Sequence, residues 1–136
     1  MTKVTKKKFK FIVEKTRTGF SAYSDKLPVF TVGGSISELN TNILEAINFY
    51  FEEDEVQVSN LNISLEFDLK QFFEYYRVIN AKFLAERIGM NETLLSQYVK
   101  GRKKPSKKQI DKIMYGINEI GIELSELSMV IRDPER

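Results

Sequence analysis

The chain is expected to be an α+β protein in two parts, a small β-β-β-α-β domain over residues 1–68 and an all-α domain over residues 69–136. Three observations carry that expectation. Short runs rich in β-formers, punctuated by turn residues, precede Gly33-Gly34. An unbroken alternation of apolar and polar residues runs from Leu61 to Asp68. From there to the end the apolar spacing is helical, with two short helical patterns hinged on Gly89.

Taken in order, Lys3 to Lys8 is a basic, polar start that reads as a fraying end. Phe9 to Lys15 forms the first strand, Thr16-Arg17-Thr18-Gly19 a turn, and Phe20 to Ser24 the second strand of a hairpin. Asp25-Lys26 and Leu27-Pro28 turn the chain into a third strand, Val29 to Val32, ended by Gly33-Gly34. A helix then opens with the capping box of Ser35 and Glu38 and repeats Ile36, Leu39, Ile43, Ala46, Ile47 and Tyr50 at helical spacing. Acidic residues are unfavourable at the negative end of a helix dipole, so the helix should stop near Glu52 and leave Glu52, Glu53, Asp54 and Glu55 as a loop or exposed tip. Leu61 to Asp68 returns as a strand with one face buried.

The second part begins with Asp68 capping a helix that buries Leu69, Phe72, Phe73 and Tyr76 against the helices that follow. Aromatic residues at this spacing read as core in preference to base-stacking groups. Asn80 caps the next helix, whose apolar stripe is Phe83, Leu84 and Ile88. Gly89 supplies the positive φ that ends it, Met90 turns back into the core, and Asn91 caps a helix that buries Leu94, Leu95 and Tyr98. Ser106 and Gln109 open a last helix with Ile110, Ile113, Met114, Ile117 and Ile120, expected to end at Gly121. Leu124, Leu127, Met129, Val130 and Ile131 then either complete the core or form a dimer surface.

Composition narrows the chemistry. The 136 residues contain no cysteine and no histidine, which removes disulfides, thiolate nucleophiles, Cys or His metal ligands and His acid–base catalysis. Phe9 to Val13 is too short for a signal peptide or membrane span, so a cytoplasmic protein is expected. The net charge is only +2, but its distribution is uneven. From Glu92 to Lys112 seven basic residues face two acidic ones, Glu92 and Asp111, a local excess of five. Such a turn can be merely solvated; phosphate neutralisation is the alternative.

The helix after Gly89 keeps a polar row once its apolar side is packed. Glu92, Thr93, Ser96, Gln97 and Lys100 fall on its outer face, which is the layout of a helix that reads base edges. The pattern Leu84, Ala85, Ile88, Gly89, Met90, Leu95, Tyr98, followed by Gly101 to Pro105-Ser106, resembles the helix-turn-helix of the phage-repressor (Xre or Cro/C1) family. That resemblance implies DNA contacts from Lys82, Asn91, Glu92, Thr93, Ser96, Gln97, Lys100, Arg102, Lys103 and Lys104. A hairpin of helices with no DNA role is the plainer alternative.

A second resemblance covers residues 9 to 68. Gly19-Phe20-Ser21-Ala22-Tyr23, then Leu27 to Ser35, then Glu38-Leu39 to Leu44-Glu45-Ala46-Ile47 resemble the N-terminal domain of HicB-type antitoxins, a partial RNase H-like fold. The third strand lacks the family's usual D-x-P-G wording and reads Leu27-Pro28-Val29-Phe30. Members of that family often carry a DNA-binding domain in second position. The resemblance implies an antitoxin that neutralises a small HicA-like ribonuclease toxin and represses its own operon on operator DNA; because one helix-turn-helix buries too little surface for tight specific binding, a dimer or higher homo-oligomer is expected. Contact with a basic toxin would fall to Tyr23, Phe30 and Val32 on the short strands and to Glu52, Glu53, Asp54 and Glu55. Their plainer roles are core residues and a solvated tip.

No catalytic residues, metal site or cofactor are expected. An RNase H-type nuclease needs carboxylates converging on two metal ions, and Glu14 and Asp25 are the only acids in the opening strands and turns. The competing expectation is a stand-alone regulator whose α+β domain senses a ligand or dimerises.

Overall fold

In the computed structural model, which describes residues 3–131, the chain is a mixed α+β protein. It divides into two compact units, Met1–Tyr76 and Arg77–Arg136.

The first unit contains β1 (Lys3–Val4), β2 (Phe9–Thr16), β3 (Gly19–Ser24), β4 (Phe30–Gly33), α1 (Ile36–Tyr50), β5 (Val56–Gln57), β6 (Ile63–Phe67) and α2 (Leu69–Tyr75). A four-stranded sheet runs in the order β4-β3-β2-β6. The first three strands pair antiparallel, and β6 joins β2 in parallel. Directly opposed residues share a face, so Phe11 with Leu65, and Val13 with Ala22 and Phe67, point one way. Against that side packs α1, whose Leu39, Ile43 and Ile47 have no exposed surface. Their spacing of four keeps them in one stripe, and each buried side chain contributes about 1.5–3 kcal/mol. The Ser35 hydroxyl accepts from the Glu38 N–H at 3.1 Å, the expected cap. After Tyr50 the acids tighten into a short 3₁₀ turn, Glu52–Asp54, and all four are exposed.

Three expectations for this unit need correction. Lys3 and Val4 do not fray; they pair in parallel with Val56 and Gln57, and the Lys3 N–H donates to Glu55 O at 2.6 Å. Backbone pairing of this kind leaves no side-chain period to read. The last strand starts at Ile63: Leu61 is 81% exposed and Asn62 is buried, because Asn60–Asn62 is a 3₁₀ turn. Finally, α2 is anchored in the first unit. Asp68 caps it as expected, accepting from the Gln71 N–H at 3.1 Å. The Gln71 amide then brackets the Lys15 backbone, donating to its carbonyl at 2.7 Å and accepting from its N–H at 2.8 Å. Phe72 meets Phe67 edge-on at 6.4 Å. A bidentate amide on the end of β2 is a long-range contact that helical periodicity cannot reveal.

The second unit consists of α3 (Ala81–Ile88), α4 (Glu92–Val99), α5 (Lys107–Ser125) and a 3₁₀ turn at Glu126–Met129. Asn80, Asn91 and Ser106 cap the three helices, accepting from Phe83, Leu94 and Gln109 N–H groups at 3.1, 3.0 and 3.2 Å. Leu84, Ala85, Met90, Leu95, Tyr98, Ile110 and Ile113 are buried. Two expectations fail here. Phe83 is 61% exposed, since it sits about 100° from Leu84 on the side away from Ala85 and Ile88, outside the Leu84–Ala85–Ile88 stripe. Gly121 does not end α5, which continues to Ser125, because glycine stops a helix only where it takes a left-handed φ. Among the described residues no helix is long and apolar enough to cross a membrane.

Candidate functional site

The junction of α3 and α4 is held by backbone geometry. Gly89 takes φ 70° just past α3. Its N–H donates to Glu86 O at 3.3 Å, and the Met90 N–H donates to Ala85 O at 2.9 Å. That pair of bonds is the Schellman arrangement, satisfying carbonyls that the helix end leaves open. The same device closes α4. Gly101 takes φ 73°, its N–H bonds Tyr98 O at 3.1 Å, and the Arg102 N–H reaches Gln97 O at 2.9 Å. The Lys103 N–H also points at Gln97 O, at 3.3 Å, so the basic turn folds back over the last turn of α4.

Packing decides what α4 shows. Leu95 and Tyr98 are buried and Leu94 and Ser96 half-buried, while Glu92, Thr93, Gln97 and Lys100 are exposed. Thr93, Gln97 and Lys100 lie at i, i+4 and i+7, a single stripe along a helix of about 12 Å. Asn91 spends its Oδ1 on the cap, bonding the Leu94 N–H at 3.0 Å, and among the described residues its Nδ2 has no partner. Arg102, Lys103 and Lys104 are exposed and have no carboxylate partner among the described residues. Sequence counting overstates the free charge, since Lys107 pairs with Asp111 at 3.2 Å. Lys82 is exposed in the first turn of α3, with its Nζ 5.9 Å from the Phe83 ring centre. A stripe of hydrogen-bonding side chains flanked by unpaired cations can read base edges and grip phosphates together.

In the first unit Tyr23, Phe30 and Val32 are 40, 64 and 55% exposed. The register explains why. Ile12, Tyr23 and Phe30 are opposed across β2, β3 and β4, with Glu66 opposite Ile12, on the sheet face away from α1. Strand β4 is an edge. The three residues thus form one apolar patch and are not core. The tip Glu52–Glu55 belongs to the helical layer on the opposite face, so it forms a separate patch. The acids nearest the trio are Glu14 and Asp68; Glu66 lies one strand further off, 3.9 Å from Lys10. Burial first, then the charges of Glu14 and Asp68, raise the Tyr23 hydroxyl above the usual tyrosine range. Strand alternation places Glu14 and Glu66 on that face; only the register shows that Glu14 lies on the strand beside Tyr23 while Glu66 lies one strand further, opposite Ile12.

Apolar side chains also crowd the end of the second unit. Ile122, Leu124, Leu127, Met129, Val130 and Ile131 are between 49 and 78% exposed. Comparison of the chain with protein-family models, with curated proteins and with solved structures finds no match.

Proposed function

We propose that this chain is an antitoxin that represses its own operon: the second unit reads operator DNA through α4, and the first occludes a small HicA-like ribonuclease toxin. The observation that carries the reading is the exposed stripe Thr93, Gln97 and Lys100, ended by a basic turn folded onto the same helix. Gln97 is the residue suited to a bidentate contact with adenine in the major groove, and Lys103 and Lys104 are suited to phosphate. The sequence resemblance to phage repressors supports the same assignment.

For the first unit, support comes from the resemblance to HicB-type domains, from the order β2-β3-β4-α1-β6 of the four-stranded sheet and its helix, and from the exposed patch of Tyr23, Phe30 and Val32 beside Glu14 and Asp68. A ribonuclease must carry a basic surface, and an apolar patch ringed with acids complements one. Occlusion is steric, so no catalytic group is asked of this chain. One α4 covers too little DNA for tight specific binding, so two copies act on half-sites about 34–36 Å apart. The apolar stretch from the last turn of α5 through the 3₁₀ turn that follows it is the surface assigned to that pairing, and both activities belong in the cytoplasm.

Co-expression with the product of the adjoining short reading frame, followed by pull-down, tests the toxin half. Capture of a small basic protein with ribonuclease activity supports it. If no neighbour is captured while DNA binding persists, the stand-alone regulator is the better reading.

A further inference from the structure

The first unit also holds a cavity of about 560 Å³, within the roughly 300–1,000 Å³ usual for small-molecule sites. It lies between the segment after β1, the turn joining β3 to β4 and the residue that ends α1. Four lysines line it, Lys7, Lys8, Lys10 and Lys26, against a single acid, Asp25. Its floor is aromatic: Phe9 and Phe51 are half-buried, with ring centres 5.6 Å apart at 48°.

Solvated lysines are common, but the backbone bearing these is held in place. Asn62 is 5% exposed and its Nδ2 donates to both Thr5 O, at 3.0 Å, and Lys7 O, at 2.9 Å. Its Oδ1 accepts from the Ser59 N–H at 2.9 Å, so the clamp is fully bonded. Across the cavity the buried Ser24 hydroxyl accepts from the N–H groups of Lys26, at 3.3 Å, and Leu27, at 3.0 Å. Lys8 Nζ is tethered to Leu61 O at 2.6 Å and Lys10 Nζ stands 3.9 Å from Glu66. Among the described residues the ammonium groups of Lys7 and Lys26 have no partner. Two free cations on fixed backbone, lining one cavity with two aromatic rings, suit a phosphate joined to a flat heteroaromatic ring.

We propose that this cavity binds a nucleotide, its phosphate between Lys7 and Lys26 and its base against Phe9 and Phe51. The ligand chemistry is shared by a free mononucleotide and by the end of a single strand. Nucleotide binding here does not rest on the DNA-reading or toxin-binding roles proposed above, and Lys10, 3.9 Å from Glu66, borders the sheet face assigned to the toxin.

The test is a residue-resolved NMR titration of the full chain with uridine 5′-monophosphate, inorganic phosphate and a hexamer of uridine. The monophosphate should move the amides of residues 7–10, 24–27 and Phe51. In the Lys7→Gln/Lys26→Gln double variant, exposed changes that leave the core intact, its affinity should fall about tenfold or more. A hexamer that binds these amides more tightly than the monophosphate identifies a single strand as the ligand, and equal affinity identifies the free nucleotide. Equal affinity for inorganic phosphate, unchanged affinity in the double variant, or amide shifts confined to residues outside the cavity would overturn the assignment.

Discussion

Gly116 of α5 lies so close to Ile88 of α3 that a Cβ built on the glycine would stand 2.3 Å from the isoleucine Cγ2. The atom in the way belongs to a β-branched side chain that cannot swing clear cheaply. Gly121, one and a half turns along the same helix, has nothing within 4 Å of the corresponding position. Gly116→Ala should therefore destabilise the chain by about 1–2 kcal/mol, since overpacking outweighs the gain in helix propensity. Gly121→Ala should stabilise it by about 0.5–1 kcal/mol. Denaturant unfolding of the two variants checks the pair, and shifts of the same sign would contradict this helix packing.

Tyr23 supplies a prediction in pH. Its hydroxyl pKa is raised in the fold, by burial and by Glu14 and Asp68, above the unfolded value of about 10. In the window between the two values the folded state holds more protons than the unfolded state, so stability falls as pH rises. The contribution is fully present below about pH 10 and is lost through the higher, folded value. Tyr23→Phe removes it. The stability of the parent minus that of the variant should decline across this range in denaturant melts, and a flat or rising difference would contradict the raised pKa that burial, Glu14 and Asp68 give Tyr23.

The same face is the surface assigned to the toxin. Phe30→Glu with Val32→Glu places two charges on exposed positions of an edge strand, where the cost in stability should stay within about 1 kcal/mol. The double variant should fail to rescue growth from the toxin while binding operator DNA like the parent. Full rescue would move the toxin surface elsewhere.

Much of this architecture is legible in the residues. Ser35, Asp68, Asn80, Asn91 and Ser106 all cap helices at the positions their side chains announce. Gly89 takes the left-handed turn that the spacing of Leu84, Ile88 and Leu95 demands. What could not be read depends on partners distant in sequence. Gln71 belongs to the first unit because Lys15 offers it a backbone pair, and Lys3 forms a strand because Val56 is there to receive it. Gly121 looks like a stop signal until its φ is known. At the candidate site, the stripe on α4 and the i,i+4 pairing of Lys107 with Asp111 follow from helical period alone, whereas the exposure of Phe30 needed the strand order.

Pairing of two copies is assigned to the apolar stretch from the last turn of α5 through the 3₁₀ turn that follows it. Leu127 and Val130 are 49 and 78% exposed, and a charge at each should disrupt a buried apolar interface without disturbing the unit's own core. Leu127→Asp with Val130→Asp should turn a dimer into a monomer by light scattering at micromolar concentration. A monomeric parent, or a variant that remains dimeric, would contradict this surface.

The central claim is that α4 reads DNA. A gel-shift series on the chain's own promoter region, at several salt concentrations, measures it most directly. Gln97→Ala should lose about 1–3 kcal/mol of discrimination between the operator and unrelated DNA. Lys103→Ala or Lys104→Ala should instead weaken both kinds of binding and flatten the salt slope by about one unit each. A Gln97→Ala protein that selects the operator as well as the parent does, or a parent that binds no site in its promoter, would contradict the account.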